Sequence, residues 1–236
     1  MLTNDQLILD EYLLQRKNEI APTLDDYKFF ELFVSEQILK DIDLSWEELE
    51  DGIIGASGDG GIDSMYVFIN GVLVQEDTEA AEFKDKIEFD LYFIQAKQSN
   101  GFTENAIHKF RSSMGDLLDL SADIRALIRI YNQELLNRIE RFRILYRKLA
   151  SRLPKLNIHF YYATKGVEVH PNLERLVDSL KQSINDLFSD AKVTFDFIVA
   201  RRLLELARKQ SRTAFHLEYV DAILEFPRFA GHSVKR

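Results

Sequence analysis

The chain has 236 residues, which is long enough for one large domain with a substantial core. Its apolar content of 46% and charged content of 29% are typical of a folded globular protein, and the absence of cysteine excludes disulfide frameworks, thiolate nucleophiles, zinc fingers and iron–sulfur clusters. The formal net charge of −9 argues against a surface built for unselective phosphate binding, although an acidic protein can carry a local basic patch.

The N-terminal part contains two predicted helices. Residues 5–19 form the first, which ends before Pro22 because the residue preceding proline disfavours helical backbone. Thr23 or Asp25 can cap the second helix. Its apolar stripe consists of Tyr27, Phe30, Phe33, Val34 and Ile38. Two glutamates, Glu31 and Glu36, flank this stripe on opposite sides.

A glycine-rich loop leads into the first predicted strands. Residues 52–61 contain too much glycine for a helix and suit a tight loop with positive φ angles. Residues 62–69 then form a strand, the Asn-Gly pair at 70–71 predicts a hairpin, and residues 72–74 form the return strand. After an irregular, charged segment, residues 88–97 form a further strand.

Two helices are predicted next, over residues 103–118 and 121–153. In the longer one, apolar residues recur at alternating spacings of three and four, which is typical of a coiled-coil seam. The seam residues are Ile124, Ile128, Tyr131, Leu135, Ile139, Phe142, Tyr146 and Leu149. Two interpretations are open: the helix protrudes as an arm that forms a homodimer contact, or it packs along its own domain. The basic residues late in this helix are interpreted as its solvated face rather than as a phosphate-binding patch.

The remaining elements alternate between strand and helix. The predicted order is strand 157–164, helix 172–188, strand 192–199 and helix 200–209, followed by a weak element around 215–226. Such an order predicts an α/β fold with a mixed sheet, antiparallel in its first half and parallel in its second.

No stretch has the apolar length of a membrane span, and the N-terminus lacks the core of a signal peptide, so we expect a cytoplasmic protein that does not enter a membrane.

Polar residues stand at the ends of two predicted strands. Alternation along a strand places Gln95 and Lys97 on one face, in line with the apolar residues that precede them. Asp63 lies at the start of the earlier strand. These ends meet only if the two strands run antiparallel. We therefore expect Asp63 and Lys97 to be neighbours at one end of the sheet.

The motifs as a set resemble a known family. They are Phe29-Phe30-Glu31, the Gly-Asp-Gly-Gly-Ile-Asp run at 58–63, the hairpin at 66–73 and Gln95-Ala96-Lys97. This combination resembles the PD-(D/E)XK nuclease superfamily in its Mrr-like variant. It is most similar to the N-terminal domain of the AIPR family, the abortive-infection phage-resistance proteins. The similarity covers about residues 25–119 well and the remainder only by its order of elements.

The resemblance implies a fold and a division of the chain. We expect a restriction-endonuclease-like mixed sheet flanked by helices, with a long helical insertion, so that residues 1–236 form a single nuclease-like domain. The expected parts are the first half of the catalytic core at 1–120, the helical arm at 121–153, the second half of the core at 154–210, and a tail or link at 211–236. Family members are usually longer, which implies a missing C-terminal domain.

The resemblance also implies a metal site, because hydrolysis of a phosphodiester requires hard oxygen ligands that hold Mg²⁺ against the phosphate, and Mn²⁺ can substitute. The expected ligands are the Asp63 carboxylate, the Gln95 side-chain carbonyl, the Ala96 backbone carbonyl and the Glu31 carboxylate, with Glu36 in reserve. Lys97 would orient or help to deprotonate the attacking water and stabilise the charge of the transition state. Together with Lys97, these side chains form the expected catalytic set.

The function expected from the resemblance is Mg²⁺-dependent endonuclease cleavage of DNA in phage defence or restriction. The alternative is a catalytically inactive nuclease-like module for interaction or dimerisation, which the neutral Gln95 and the acidic composition also suit. Taken singly, Asp63 could satisfy amides of its glycine loop, and Gln95 and Lys97 could be solvated residues at a strand end. Their combination in the correct order and on the correct face favours the nuclease site.

Overall fold

One mixed sheet organises the chain, as seen in a computed structural model that describes residues 2–55 and 57–209. Its strands are β1 (Ser64–Ile69), β2 (Val72–Leu73), β3 (Glu88–Lys97), β4 (Lys155–Thr164) and β5 (Lys192–Ile198). Their spatial order is β2-β1-β3-β4-β5, with β1 antiparallel to β2 and β3, and β3, β4 and β5 parallel. The predicted α/β class and the division into antiparallel and parallel halves are confirmed.

Helices cover both faces of this sheet. They are α1 (Asn4–Ile20), α2 (Asp26–Ile38), α3 (Trp46–Asp51), α4 (Glu104–Leu117), α5 (Gln133–Lys148), α6 (Pro171–Leu187) and α7 (Ala200–Arg208). Short 3₁₀ helices occur at Ala80–Glu82, Ile124–Arg129 and Ala150–Arg152. None of the described helices is both long and apolar enough to cross a membrane. The weak element predicted around 215–226 and the tail at 211–236 lie outside the described residues.

Local side-chain chemistry sets several boundaries. The Asp25 side chain accepts a hydrogen bond from the Tyr27 amide and so caps α2. The helix α3 was not predicted, although Ser45 and Glu48 form a capping box that is visible as Ser-x-x-Glu in the sequence. Asn70 and Gly71 both have positive φ, as a type I′ hairpin turn requires, and this turn joins β1 to β2 as predicted.

Side chains alternate between two apolar cores. On one face, Phe89, Leu91 and Phe93 of β3 pack with residues of α4, α5 and α6. On the other face, Ile94 and Ala96 pack with residues of α1, α2, α3 and α7. The sheet is therefore buried between two layers of helices, and polar residues within it contact one another, as Asp90 and His159 do at 3.1 Å.

The prediction of one long helix over residues 121–153 is wrong. The chain instead forms a 3₁₀ helix at Ile124–Arg129 and restarts as α5, with Asn132 as its N-cap. The Asn132 side chain accepts a hydrogen bond from the Leu135 amide at 2.9 Å and donates one to the Gly55 carbonyl at 2.7 Å. Asparagine in this role competes with continuous helix, because its side chain satisfies the free amides of a helix start.

The seam of this segment faces the protein's own core. Leu135, Ile139 and Phe142 are each 0% exposed and belong to the cluster that contains β3. The interpretation as a protruding arm with a dimer contact through these residues is therefore wrong. The alternative interpretation, that the segment packs along its own domain, is confirmed.

The basic residues of α5 are only partly a solvated face. Arg143 is 3% exposed and donates hydrogen bonds to three backbone carbonyls, those of Asp116, Leu117 and Ala122. Arg141 donates to the Gln75 carbonyl at 2.8 Å. These two arginines satisfy carbonyl groups of other segments. The exposed residues Arg147, Lys148, Arg152 and Lys155 form the solvated part of the patch.

The orientation of α5 can be tested with two isoleucines. Ile139→Ala is expected to lower the free energy of unfolding by about 2–5 kcal/mol, because it removes a fully buried side chain and leaves a cavity. Ile144→Ala is the matched control on the same helix, since Ile144 is 45% exposed, and its expected effect is within about 0.5 kcal/mol. Urea denaturation measures both values. Equal losses would contradict the orientation described here.

Candidate active site

The glycine loop delivers Asp63 to the end of β1. Gly58, Gly60 and Gly61 all have positive φ, which side chains rarely tolerate, and the Asp59 side chain accepts a hydrogen bond from the Gly61 amide at 2.7 Å. The Asp63 amide donates to the Ile94 carbonyl of β3 at 2.9 Å. The backbone of Asp63 is thus held against β3, just beyond the paired part of β1.

The Asp63 carboxylate connects β1 to β3. Its Oδ2 atom accepts a hydrogen bond from the Ala96 amide at 2.8 Å, and its Oδ1 atom accepts one from the Lys97 ammonium at 2.9 Å. The paired register of the two strands ends at Ser64 and Ile94, so the carboxylate takes the place of the next backbone partner for Ala96. The expectation that Asp63 and Lys97 meet across antiparallel strands is confirmed.

Gln95 contributes a buried acceptor without a partner. The residue is 3% exposed, and its Oε1 atom makes no hydrogen bond within the residues that the structure describes. An unsatisfied buried acceptor of this kind costs about 1–3 kcal/mol. A hard cation would supply the missing partner, because amide carbonyl oxygens are suitable ligands for it. Gln95 is therefore not a solvated strand-end residue, and its chemistry fits a metal ligand.

Glu31 lies in the electrostatic environment of the same site. Burial and then the negative charge of Asp63 raise the pKa of Glu31 to about 7, while the Lys97 cation acts in the opposite direction. Glu36, the reserve candidate, instead accepts a hydrogen bond from Arg16 of α1 at 2.9 Å. Of the two glutamates, the structure brings Glu31 to Asp63 and engages Glu36 elsewhere.

The charges of Asp63 and Lys97 respond to this crowding. Burial raises the pKa of Asp63, and the Lys97 cation only partly opposes the increase. Burial lowers the pKa of Lys97, but the negative charges of Asp63, Asp59 and Glu31 outweigh burial, so its pKa is raised overall. Lys97 is consequently held as a cation, and the carboxylates around it lack enough positive charge to compensate for their burial.

Asp59 is a site residue to which no role was assigned from the sequence. Its charge acts on the pKa of Glu31, Asp63 and Lys97. The signal was present, because Asp59 lies within the same glycine motif as Asp63. Among the described residues, no group of three or more His, Cys, Asp or Glu side chains is placed to hold a metal.

The candidate site is open rather than enclosed. A cavity of about 1010 Å³ lies elsewhere, between α3, the β1–β2 hairpin and α5, and none of the candidate site residues lines it. The site reaches the surface through Lys97, whose side chain is 43% exposed.

Comparisons of the chain with protein-family models, curated proteins and solved structures found no match.

The raised pKa of Glu31 predicts a pH-dependent stability in metal-free buffer. An acid whose pKa is about 7 in the folded state and near 4.5 when unfolded takes up a proton on folding, so stability falls as pH rises through this interval. Glu31→Gln removes the cost of ionisation. At pH 8 it should be more stable than the wild type by on the order of 1–2 kcal/mol, after solvent screening of a partly exposed group, with little difference at pH 4.5.

Urea denaturation between pH 4.5 and 8, with EDTA present, measures this difference. Glu36→Gln is the control, because it removes a carboxylate from the same helix at a position that is engaged with Arg16. If the stabilisation of Glu31→Gln is the same at every pH, the raised pKa is contradicted.

Proposed function

We propose that the protein is a metal-dependent endonuclease that hydrolyses phosphodiester bonds of DNA. The observation that carries the proposal is the Asp63 carboxylate bound to the Lys97 ammonium at 2.9 Å, beside the unpartnered Oε1 atom of Gln95. An acid, a lysine and a free carbonyl oxygen at one open strand end are the groups needed to hold a hydrated divalent cation against a phosphate.

The Mg²⁺ ligands in this proposal are the Asp63 carboxylate, the Gln95 side-chain carbonyl, the Ala96 backbone carbonyl and the Glu31 carboxylate. When bound, the cation would act as a Lewis acid toward the phosphate and lower the pKa of water, and Mn²⁺ can replace it. The raised pKa values of Glu31 and Asp63 support this ligand set, because both carboxylates need additional positive charge nearby.

Lys97 has a separate role in the proposal. Its ammonium group is held by Asp63, and its partly exposed side chain is the part of the site that a phosphate would reach. A preorganised cation stabilises negative charge that develops on phosphate oxygens in the transition state. Because the neighbouring acids raise its pKa, Lys97 acts as a cation and orients water rather than serving as a neutral base.

The choice of DNA and of a role in phage defence is supported by the resemblance of the Gly58 to Asp63 and Gln95 to Lys97 motifs to the AIPR family. A cytoplasmic location and a further C-terminal domain belong to the same proposal.

The second candidate is a catalytically silent nuclease-like module. It is favoured by the neutral Gln95, which stands where an acidic ligand would bind a cation more strongly.

A cleavage assay separates the two candidates. The wild-type chain is expected to cut plasmid DNA with Mg²⁺ or Mn²⁺ and not with EDTA. Asp63→Ala and Lys97→Met are each expected to reduce the rate by about 100-fold or more, since each removes a group that acts on the metal or the transition state.

Asp90→Asn is the matched control for the assay. Asp90 is a partly buried acid of β3 that contacts His159 at 3.1 Å, away from the Asp63 end of the strand. Its variant should retain the wild-type rate. Metal-dependent cleavage that persists in both Asp63→Ala and Lys97→Met would exclude this site as the catalytic one. A wild-type chain that cuts no DNA would support the catalytically silent module.

The neutral Gln95 predicts weak metal binding that a single charge can strengthen. Gln95→Glu is expected to bind Mn²⁺ at least about tenfold more tightly, because it adds a negative charge beside Asp63, whereas Gln95→Leu should lose binding. Ligand binding to the folded state raises the melting temperature with metal concentration, so thermal unfolding titrated with Mn²⁺ measures both effects. Identical metal-induced shifts in the wild type and Gln95→Leu would exclude Gln95 as a ligand.

A further inference from the structure

Two exposed lysines lie beside the candidate site on different helical layers. Lys28 belongs to α2, which packs on one face of the sheet, and Lys109 belongs to α4, which packs on the opposite face. Within the described part of the chain, neither lysine makes a hydrogen bond or an ion pair.

Lys109 is close to the site because Gly61 has no side chain. A Cβ atom at Gly61 would lie 3.1 Å from the Cβ and 3.6 Å from the Cδ of Lys109, and 3.5 Å from the Nε2 of Gln95. The stem of Lys109 and the amide of Gln95 therefore border the same small space. The positive φ of 84° at Gly61 keeps that space free of a side chain.

Lys28 approaches from the other layer. Its positive charge lowers the pKa of Glu31, in opposition to burial and to the Asp63 charge, which raise it. Lys28 precedes Glu31 by three residues on α2, so the two side chains are neighbours on the surface of that helix. The site at the end of β3 is bracketed by one lysine from α2 and one from α4.

An anionic polymer can bind to this acidic molecule only where local positive charge offsets the repulsion. The chain carries a net charge of −9, and Asp59, Asp63 and Glu31 add negative charge at the site itself. A phosphate backbone would be repelled unless local cations compensated for these carboxylates. On α5, Arg141 and Arg143 are engaged with backbone carbonyls of other segments.

We infer that Lys109 and Lys28 bind the phosphates on either side of the scissile one and so position a nucleic-acid strand across Lys97. This inference rests on the proposed nuclease function for its substrate. Both lysines act as positioning residues. They bind phosphates of the nucleic-acid backbone, and neither contacts the oxygen atoms that would hold the metal.

Binding of fluorescein-labelled 20-mer DNA, duplex and single-stranded, tests the inference without cleavage when the complete chain is used in EDTA. Lys109→Met and Lys28→Met are each expected to raise Kd about three- to tenfold at 100 mM salt. Each should also reduce the slope of log K against log salt by about 0.9 for duplex or 0.7 for single-stranded DNA. Lys109→Arg should restore both values, because the charge is retained.

Arg111→Met is the matched control. Arg111 is exposed on α4, two residues beyond Lys109 and so about 200° around the helix, and its variant should keep the wild-type Kd and slope. If Lys109→Met behaves like Arg111→Met, or if the wild type binds neither probe, the inference is overturned.

The cleavage assay distinguishes this failure from failure of the proposed function. Metal-dependent cleavage by the wild type, together with unchanged salt slopes in both lysine variants, would support the nuclease function and contradict phosphate binding by the two lysines. Reduced salt slopes in both lysine variants, together with a wild-type chain that cuts no DNA, would support phosphate binding by the two lysines and contradict the nuclease function.

Discussion

The buried carboxylate of Asp63 is the interaction on which the rest of the site depends. It is 3% exposed, and both of its oxygen atoms are occupied by donors from β3, the Ala96 amide and the Lys97 ammonium. A carboxylate in such a place is costly unless charge-assisted hydrogen bonds compensate for its lost hydration. These two bonds hold the glycine loop at the end of β3 and give Lys97 a defined position.

The two hydrogen bonds to Asp63 do not fully offset the burial of charged and polar groups at the site. Burial still raises the pKa of Asp63, Glu31 has a pKa of about 7, and the Gln95 carbonyl oxygen has no hydrogen bond within the described residues. Folding alone would favour apolar residues at these positions. Strain of this kind concentrates where a protein binds a ligand, and each of these groups would be stabilised by one added cation.

The two-layer packing explains why these groups can meet. Apolar side chains of β3 pack into both cores, and Asp63, Gln95 and Lys97 come together where the strand ends. Helices of both layers supply further charged residues: Glu31 and Lys28 belong to α2, and Lys109 belongs to α4. The sheet therefore supplies a rigid end at which acids from the loop and cations from two helices surround the same open surface.

The sequence by itself determined the features that depend on neighbouring residues. Alternation placed Gln95 and Lys97 on one face, Asn70 and Gly71 specified the hairpin, and the order of elements predicted the mixed sheet, because backbone geometry has short periods. Only the tertiary structure decided between Glu31 and Glu36, since both flank the apolar stripe of α2 and the difference is that Arg16 of another helix binds one of them.

The same limit explains the incorrect prediction over residues 121–153. The heptad-like seam was real, but periodicity cannot distinguish a coiled coil from a helix buried in its own domain, and the break at Asn132 depends on a hydrogen bond to the distant Gly55. The inward contacts of Arg143 and the charge of Asp59 on its neighbours likewise arise between residues far apart in sequence. Burial and ion pairing are properties of the packed chain, and local pattern does not contain them.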